Sequence, residues 1–369
     1  MASSNNDEVI SKISPHTVKK FDLIEKYVEA WTQKLMNWPN CNGIVFIDCM
    51  CNSGMYIDDD GNEIHGTPIR VAKIIAEAMP NYLRKQAHLY FNDIDQRKID
   101  ELKKHLPADT QNFFIHTSCG DGNDLLRKIG KSLSATQKMN YLLVYDPYTA
   151  AIDWDALMPF LNNWGEVIIN HMVSDSIRGI AQARRQTAID KYEQTYLADI
   201  EELATFGSNR EAFEKRIETI ITALHRSNNR YYIASFPFFN SKNALVYNLL
   251  HCTNSVVGFK LYKTTAWKTF GDKSSTKRTG GPDGQMVLDL TGGMAATLES
   301  DEYCYYVQDI VEYIMKKFNG KSDIPINDIW NWLDEHPVFP TDGYKNEIKK
   351  QLKDSGNTIK NNKVTFIRR

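Results

Sequence analysis

The chain has 369 residues, 44 Lys and Arg against 46 Asp and Glu, a net charge of -2 and 42% hydrophobic residues. That length exceeds one ordinary core, so a large domain with one or two smaller ones is expected, and the composition excludes a disordered or fibrous chain. The near-neutral balance argues against a surface that coats nucleic acid everywhere, and leaves room for a local basic patch.

Met1 to Asp7 is small and polar with no apolar run behind it, so no secretion signal is expected. The longest apolar stretches, such as Tyr141 to Tyr145 and Val167 to Ile169, are far shorter than a membrane span. Of the six cysteines only Cys49 and Cys51 are close, and a C-x-C pair makes neither a zinc site nor a disulfide framework. These features predict a cytoplasmic protein with no membrane segment and no metal site.

Phe21, Ile24, Tyr27, Val28, Trp31 and Leu35 recur at helical spacing and predict a first helix from Pro15 to Trp38, within an N-terminal segment 1–42. Short apolar runs follow: Gly43 to Asp48, His88 to Asp93, Phe113 to Thr117, Tyr141 to Asp146 and Val167 to His171. Helical stretches, Pro68 to Ala78, Asp95 to His105 and Asn123 to Ile129, lie between them. Alternating strands and helices predict an α/β, Rossmann-like domain over 43–270, with a parallel sheet covered on both faces. The charged segment 174–226 reads as a helical insertion. Arg230 to Phe236 and Ala244 to Cys252 read as two strands joined by a polar turn. Gly271 to Gly284, poor in apolar residues, opens an expected mobile linker over 271–298. Beyond it, 299–369 predicts three helices (Asp301 to Phe318, Pro325 to Leu333, Tyr344 to Leu352) and a hairpin from Thr358 to Ile367. That is the order of a winged helix.

The strand ends carry the chemistry. The first delivers Asp48 and a turn of small residues reaching Gly54, which suits a nucleotide-like ligand approached by backbone N–H groups. A capping Asp in a tight turn is the plainer alternative. G-x-G-x-x-G is absent, which weakens a dinucleotide reading. Asp93 closes the second strand, where an acid accepts both hydroxyls of a ribose; Asp95 competes, and reads equally as a helix N-cap. Asp121 follows the third strand and is placed to hold an adenine amino group or to be an ordinary turn residue. The fourth ends in Asp146-Pro147-Tyr148, a relation of the D-P-P-Y/F pattern with which amino-directed nucleic-acid methyltransferases hold an exocyclic amine and stack a base. A bare Asp-Pro also simply ends strands. His171 reads as a satisfied strand-end histidine; Arg178 is an anion anchor or a surface residue with equal standing.

At these residues the chain resembles the three-Cys-motif partner family (TcmP), over roughly Phe21 to Phe270. The resemblance rests on Phe21-Asp22-Leu23-Ile24-Glu25-Lys26-Tyr27, Trp31, Ile47-Asp48 with Gly54 and Tyr56, and Gly66-Thr67-Pro68. It continues through Asp146-Pro147-Tyr148, Asp153-Trp154, Ile177-Arg178 and Trp267-Lys268. The family reads Asp-x-Phe-Ala-Gly-x-Gly after the first strand. Here Cys49-Met50-Cys51-Asn52-Ser53-Gly54 stands there, with Asn52 or Ser53 in place of the first glycine. The resemblance implies a class I methyltransferase-like fold, S-adenosylmethionine as cofactor, and a partner that is a radical-SAM-like three-Cys-motif protein.

Lys345, Lys349, Lys350, Lys353, Lys360, Lys363, Arg368 and Arg369 outnumber the acids of the last segment. On a winged helix they fall on the third helix and the wing, which meet a duplex. Lys268, Lys277 and Arg278 are expected to close over a polyanionic substrate or to be solvated. The leading expectation is thus an S-adenosylmethionine-dependent methyltransferase acting on nucleic acid: Asp48, Gly54, Asp93 and Asp121 hold cofactor, while Asp146, Tyr148 and Arg178 serve the acceptor. The alternatives are a non-catalytic subunit docking the radical-SAM-like partner, and a nucleic-acid processing enzyme, for which no metal-binding carboxylate cluster is visible.

Overall fold

The computed structural model describes residues 8–133, 138–147, 149, 151–161, 164–172, 179–180, 183–206, 210–225, 231–277 and 304–368. A short strand β1 (Ser11–Lys12) precedes helix α1 (Pro15–Met36), and β2 (Gly43–Asp48) runs through β3 (Met55–Ile57) and β4 (Glu63–His65) into α2 (Thr67–Ala78). There follow β5 (Gln86–Asp93), α3 (Gln96–Lys103), β6 (Phe113–Cys119), α4 (Gly122–Leu133), β7 (Met139–Tyr145), the single turn α5 (Trp154–Leu157) and β8 (Gly165–His171). Helices α6 (Gln186–Tyr196), α7 (Ile200–Thr205) and α8 (Arg210–His225) lead to β9 (Tyr232–Phe239), β10 (Leu245–Thr253) and α9 (Val256–Phe270). The chain closes with α10 (Val307–Phe318), β11 (Ile324–Pro325), α11 (Ile326–Asp334), α12 (Lys345–Asp354), β12 (Thr358–Lys360) and β13 (Lys363–Thr365).

Period-two alternation builds the centre. Ile44 and Phe46 of β2 belong to one buried cluster, and Val45 and Ile47 to the other. Leu142 and Val144 of β7 divide from Leu143 and Tyr145 in the same way. Such strands need helices on both faces. One cluster packs under α1, α2, α3 and α9, the other under α4, α5 and the helices of the insertion.

The seven-stranded sheet has the order β6-β5-β2-β7-β8-β10-β9. Its first five strands are parallel. β10 lies between β8 and β9, antiparallel to both. The fold is therefore the expected mixed α/β class with a mostly parallel central sheet. From β2 the chain builds outward to β5 and β6, then returns to lay β7 on the other side of β2. Strand order reverses there, and open α/β sheets bind ligands outside the strand ends at such a point.

The expectation missed β3 and β4, which form a small sheet with β1. Three residues are too few for a periodic signal. The hairpin is held instead by the Asp58 carboxylate, which accepts from Asp60 N and Asn62 N. The helix expected from Asp301 begins at Val307, because Tyr306 N donates to the Asp309 carboxylate (2.6 Å) and starts the first turn there. Most of the expected linker, 278 to 303, lies outside the described residues.

The last elements dock on α9. The Lys263 ammonium donates to Asp334 O (2.8 Å) and His336 O (2.7 Å), and Trp267 Nε1 to Val338 O (2.9 Å). Burial pushes the Lys263 amine down to about 7. Core residues on this face continue without a break from Tyr262 and Trp267 into Ile310, Ile329, Leu333 and Ile348. Among the described residues no helix is long and apolar enough to cross a membrane.

Candidate functional site

Three strand ends are tied together at the crevice by one side chain. Asn92 Nδ2 donates to Cys49 O (3.0 Å) and Gly120 O (2.9 Å), and its Oδ1 accepts from Ser118 Oγ (2.8 Å). The turn after β2 is thereby pinned to β5 and β6. A Cβ on Gly122 would stand 2.7 Å from Cys49 O, so only glycine lets α4 start this close to that turn.

The turn answers the departure from the Gly-rich pattern. Asn52 has φ 57°, the left-handed region that Gly favours and Asn tolerates. Its N–H donates to Asp93 Oδ2 (3.0 Å), while Asp95 N donates to Asp93 Oδ1 (3.0 Å). Gly54 also has positive φ (69°). A Cβ there would lie 2.8 Å from Leu102 and 3.0 Å from Ile69, so Gly54 serves the packing of α2 and α3 and lies outside both cavity linings.

A cavity of about 650 Å³ opens at the ends of β2, β5, β6 and β7. Asp93, Ile94, Asp121, Tyr145 and Pro147 line one part; Asp153, Trp154, Gln194 and Leu197 line another. Asp93 is 1% exposed. Its carboxylate accepts from the Asn52 and Asp95 backbone N–H groups at the wall of the cavity. Ile94 beside it is 71% exposed, an apolar plate at the cavity. Asp121 also caps α4, accepting from Asp124 N (3.0 Å). Asp95 caps α3 by accepting from Arg97 N (2.9 Å), and lies outside the cavity lining.

A second cavity, of about 30 Å³, lies on the other side of the β2 turn. Phe21, Ile24, Asp48, Tyr56, Thr67, Pro68 and Asp146 line it. They come from α1, the stretch from β2 to β3, the start of α2 and the end of β7, so four separate segments meet at one small void. Its charge is settled internally. Lys20 Nζ lies 2.6 Å from Asp146 Oδ2, and Asn170 Nδ2 donates to Asp146 Oδ1 (2.6 Å). Burial, with the Asp146 charge beside it, pushes the Asp48 carboxyl up to about 8. Asp146 is thus engaged by two donors of the chain itself.

Other expected residues lie elsewhere. The Lys268 ammonium binds Asp272 (2.8 Å) and lies over the Tyr344 ring (4.5 Å), a contact between α9 and the C-terminal elements. Lys277 lies over the Phe239 ring at 5.7 Å. Lys349 is half-buried and Lys353 exposed on α12. His171 is buried, and its Nε2 is 2.6 Å from Tyr196 Oη; burial pushes it down to about 4. Tyr148, Arg178 and Arg278 lie outside the described residues. Among the described residues no group of three or more His, Cys, Asp and Glu is placed to hold a metal ion.

Sequence reasoning missed Lys20, Met50, Ile94 and Asn170. A lysine on an amphipathic helix reads as solvated, and nothing local marks Lys20 as buried. Ile94, an apolar residue directly after a strand-end acid, left a signal that was there to use.

The chain matches no protein-family profile and no curated protein sequence. Solved structures do match. One is a loganic acid methyltransferase with SAH, 10% identical, aligned over 69% of this chain and 83% of that one, with a TM-score of 0.29. Another is human methyltransferase-like protein 13 in complex with SAH, 7% identical over 69% of this chain and 92% of that one, with a TM-score of 0.32.

Proposed function

We propose that the chain is an S-adenosylmethionine-dependent methyltransferase-like protein acting on nucleic acid. The observation that carries this reading is the placing of Asp93 and exposed Ile94 side by side on the wall of a cavity at the strand-order reversal. In this reading Asp93 accepts the ribose hydroxyls, Ile94 flanks the base, Asp121 receives its exocyclic amine, and Asp48 lies toward the amino-acid end. The donor set suits the group: acids where a nucleoside offers hydroxyl and amine donors, and an apolar plate where it offers a flat ring. S-adenosylmethionine, when bound, supplies an electrophilic methyl group on sulfur. The chain's own part is to hold the two reactants in line. Asp146, with Tyr148, orients an acceptor amine once Lys20 yields its place, and Arg178 holds phosphate.

The C-terminal helix, short strand, two helices and hairpin support a winged-helix reading of 299–369. Lys350, Lys353, Lys360, Lys363 and Arg368 are exposed on its third helix and hairpin, where phosphate contacts of such modules fall. The accessory-subunit reading is favoured by a different observation, the engagement of both Asp146 oxygens by Lys20 and Asn170. In that reading the chain docks a radical-SAM-like three-Cys-motif partner and transfers nothing itself.

Calorimetric titration with S-adenosylmethionine and S-adenosylhomocysteine decides the cofactor. Binding by the wild type that weakens about 100-fold in Asp93→Ala is expected from the loss of charge-assisted bonds to two hydroxyls. No binding by either protein ends the enzyme reading. Methyl transfer to a DNA or RNA pool, absent in Asp146→Ala, separates catalysis from docking.

A further inference from the structure

We propose that Met50 is a movable partition between the two cavities and determines whether the amino-acid tail of a nucleoside ligand is accepted. The inference rests on the reading of Asp93 and Ile94 as the nucleoside end. Among the described residues Met50 alone lines both the large cavity and the small one. Its side chain lies against Gly122, with Cε 3.0 Å and Cγ 3.2 Å from where a Cβ would stand on that glycine. Its backbone N donates to Asp48 Oδ1 at 3.4 Å. Met50 therefore stands between the acids of the small cavity and the start of α4, which borders the large one.

A ring and a ribose fit the large cavity alone. A tail bearing an ammonium group reaches Asp48 only past Met50. The small cavity, about 30 Å³, has room for one water-sized group, which is the size of an ammonium head and not of a ring. A methionine side chain is unbranched and swings at low cost, so the partition opens without unfolding the turn. Affinity for a tail-bearing ligand is then reduced by the fraction of molecules in which Met50 is displaced. A ligand without the tail pays no such penalty.

The test compares adenosine with S-adenosylhomocysteine, which share the nucleoside, on the full chain by calorimetry. The readout is the ratio of their affinities, from which changes common to both cancel. With Met50 displaced in about one molecule in ten, Met50→Ala raises the ratio in favour of S-adenosylhomocysteine about tenfold. Met50→Phe, bulkier and stiffer, lowers it. A ratio unchanged in both variants overturns the partition while leaving the nucleoside reading intact. Absence of binding by both ligands to every protein overturns the two together.

Discussion

The two cavities at the strand ends are a few residues apart and are built on opposite terms. The large one is bordered by Asp93, which accepts from two backbone N–H groups, and by the exposed side chain of Ile94. The small one is bordered by carboxylates whose charge is already answered, Asp146 by Lys20 and Asn170, and Asp48 by holding its proton. The large cavity has room for a ring and a ribose, whereas the small one, its charge answered within the fold, has room for a single small group. The contrast teaches that the residues most legible as a motif gather around the second kind of place.

The largest expected effect probes that contrast through pH. Folded, Asp48 keeps its proton to about pH 8, against an ordinary 3.8. The folded state therefore binds more protons than the unfolded one between these values. The stability this confers is fully present below about pH 4 and is lost as pH rises to about 8, by an amount on the order of 5 kcal/mol. His171, held down to about 4 by burial, contributes in the opposite direction between about pH 4 and 6.5, so the decline is read from denaturant titrations as the difference between wild type and Asp48→Asn. No pH-dependent difference between the two across that window would break the comparison at its root.

Next is Lys20→Met, which leaves Asp146 beside Asp48 without its cation. A loss of about 2 kcal/mol is expected, below the cost of breaking a fully buried pair because solvent reaches the Asp146 carboxylate and screens it. Lys20→Arg should recover part of it. If Lys20→Met instead tightens amine binding with no loss of stability, the small cavity is a ligand site held shut, not a structural one.

Gly54→Ala comes third, at about 2 kcal/mol, from the left-handed backbone and the contact with Leu102 and Ile69. The expected readout is a lower melting temperature with the ligand affinity of the folded fraction kept, because Gly54 lies outside both linings. Smallest is Asp121→Asn. Asn caps a helix as well as Asp, so stability should move by less than about 0.5 kcal/mol. Adenosine affinity should fall about fivefold if the carboxylate receives the base amine. A drop in stability with no change in affinity would make Asp121 a cap and nothing more.

Much of the sheet was readable from the chain because its strands are buried on both faces and end in acids. Asp48, Asp93 and Asp146 stand out at Gly43 to Asp48, His88 to Asp93 and Tyr141 to Asp146 without any structure. The β3–β4 hairpin was not readable, being too short for periodicity and held by one Asp58 carboxylate. The sequence leaves Lys268 between a substrate contact and a solvated side chain; its ion pair with Asp272 and its place over the Tyr344 ring appear only in the folded chain. Which residue of the turn takes the left-handed backbone is a question of φ, and before Gly54 it is Asn52.

What the sequence determined by itself is the alternation of strands and helices, and an acid at the end of successive strands. Both follow from periodicity, which is local. What only the tertiary structure decided is which acids share a cavity. Asp93 lines the large cavity beside Ile94, whereas Asp48 and Asp146 meet Lys20, 126 residues from Asp146 in the chain. Charge pairing depends on distance through space, so no pattern along the chain distinguishes a carboxylate on the wall of a roomy cavity from one closed in by a distant lysine.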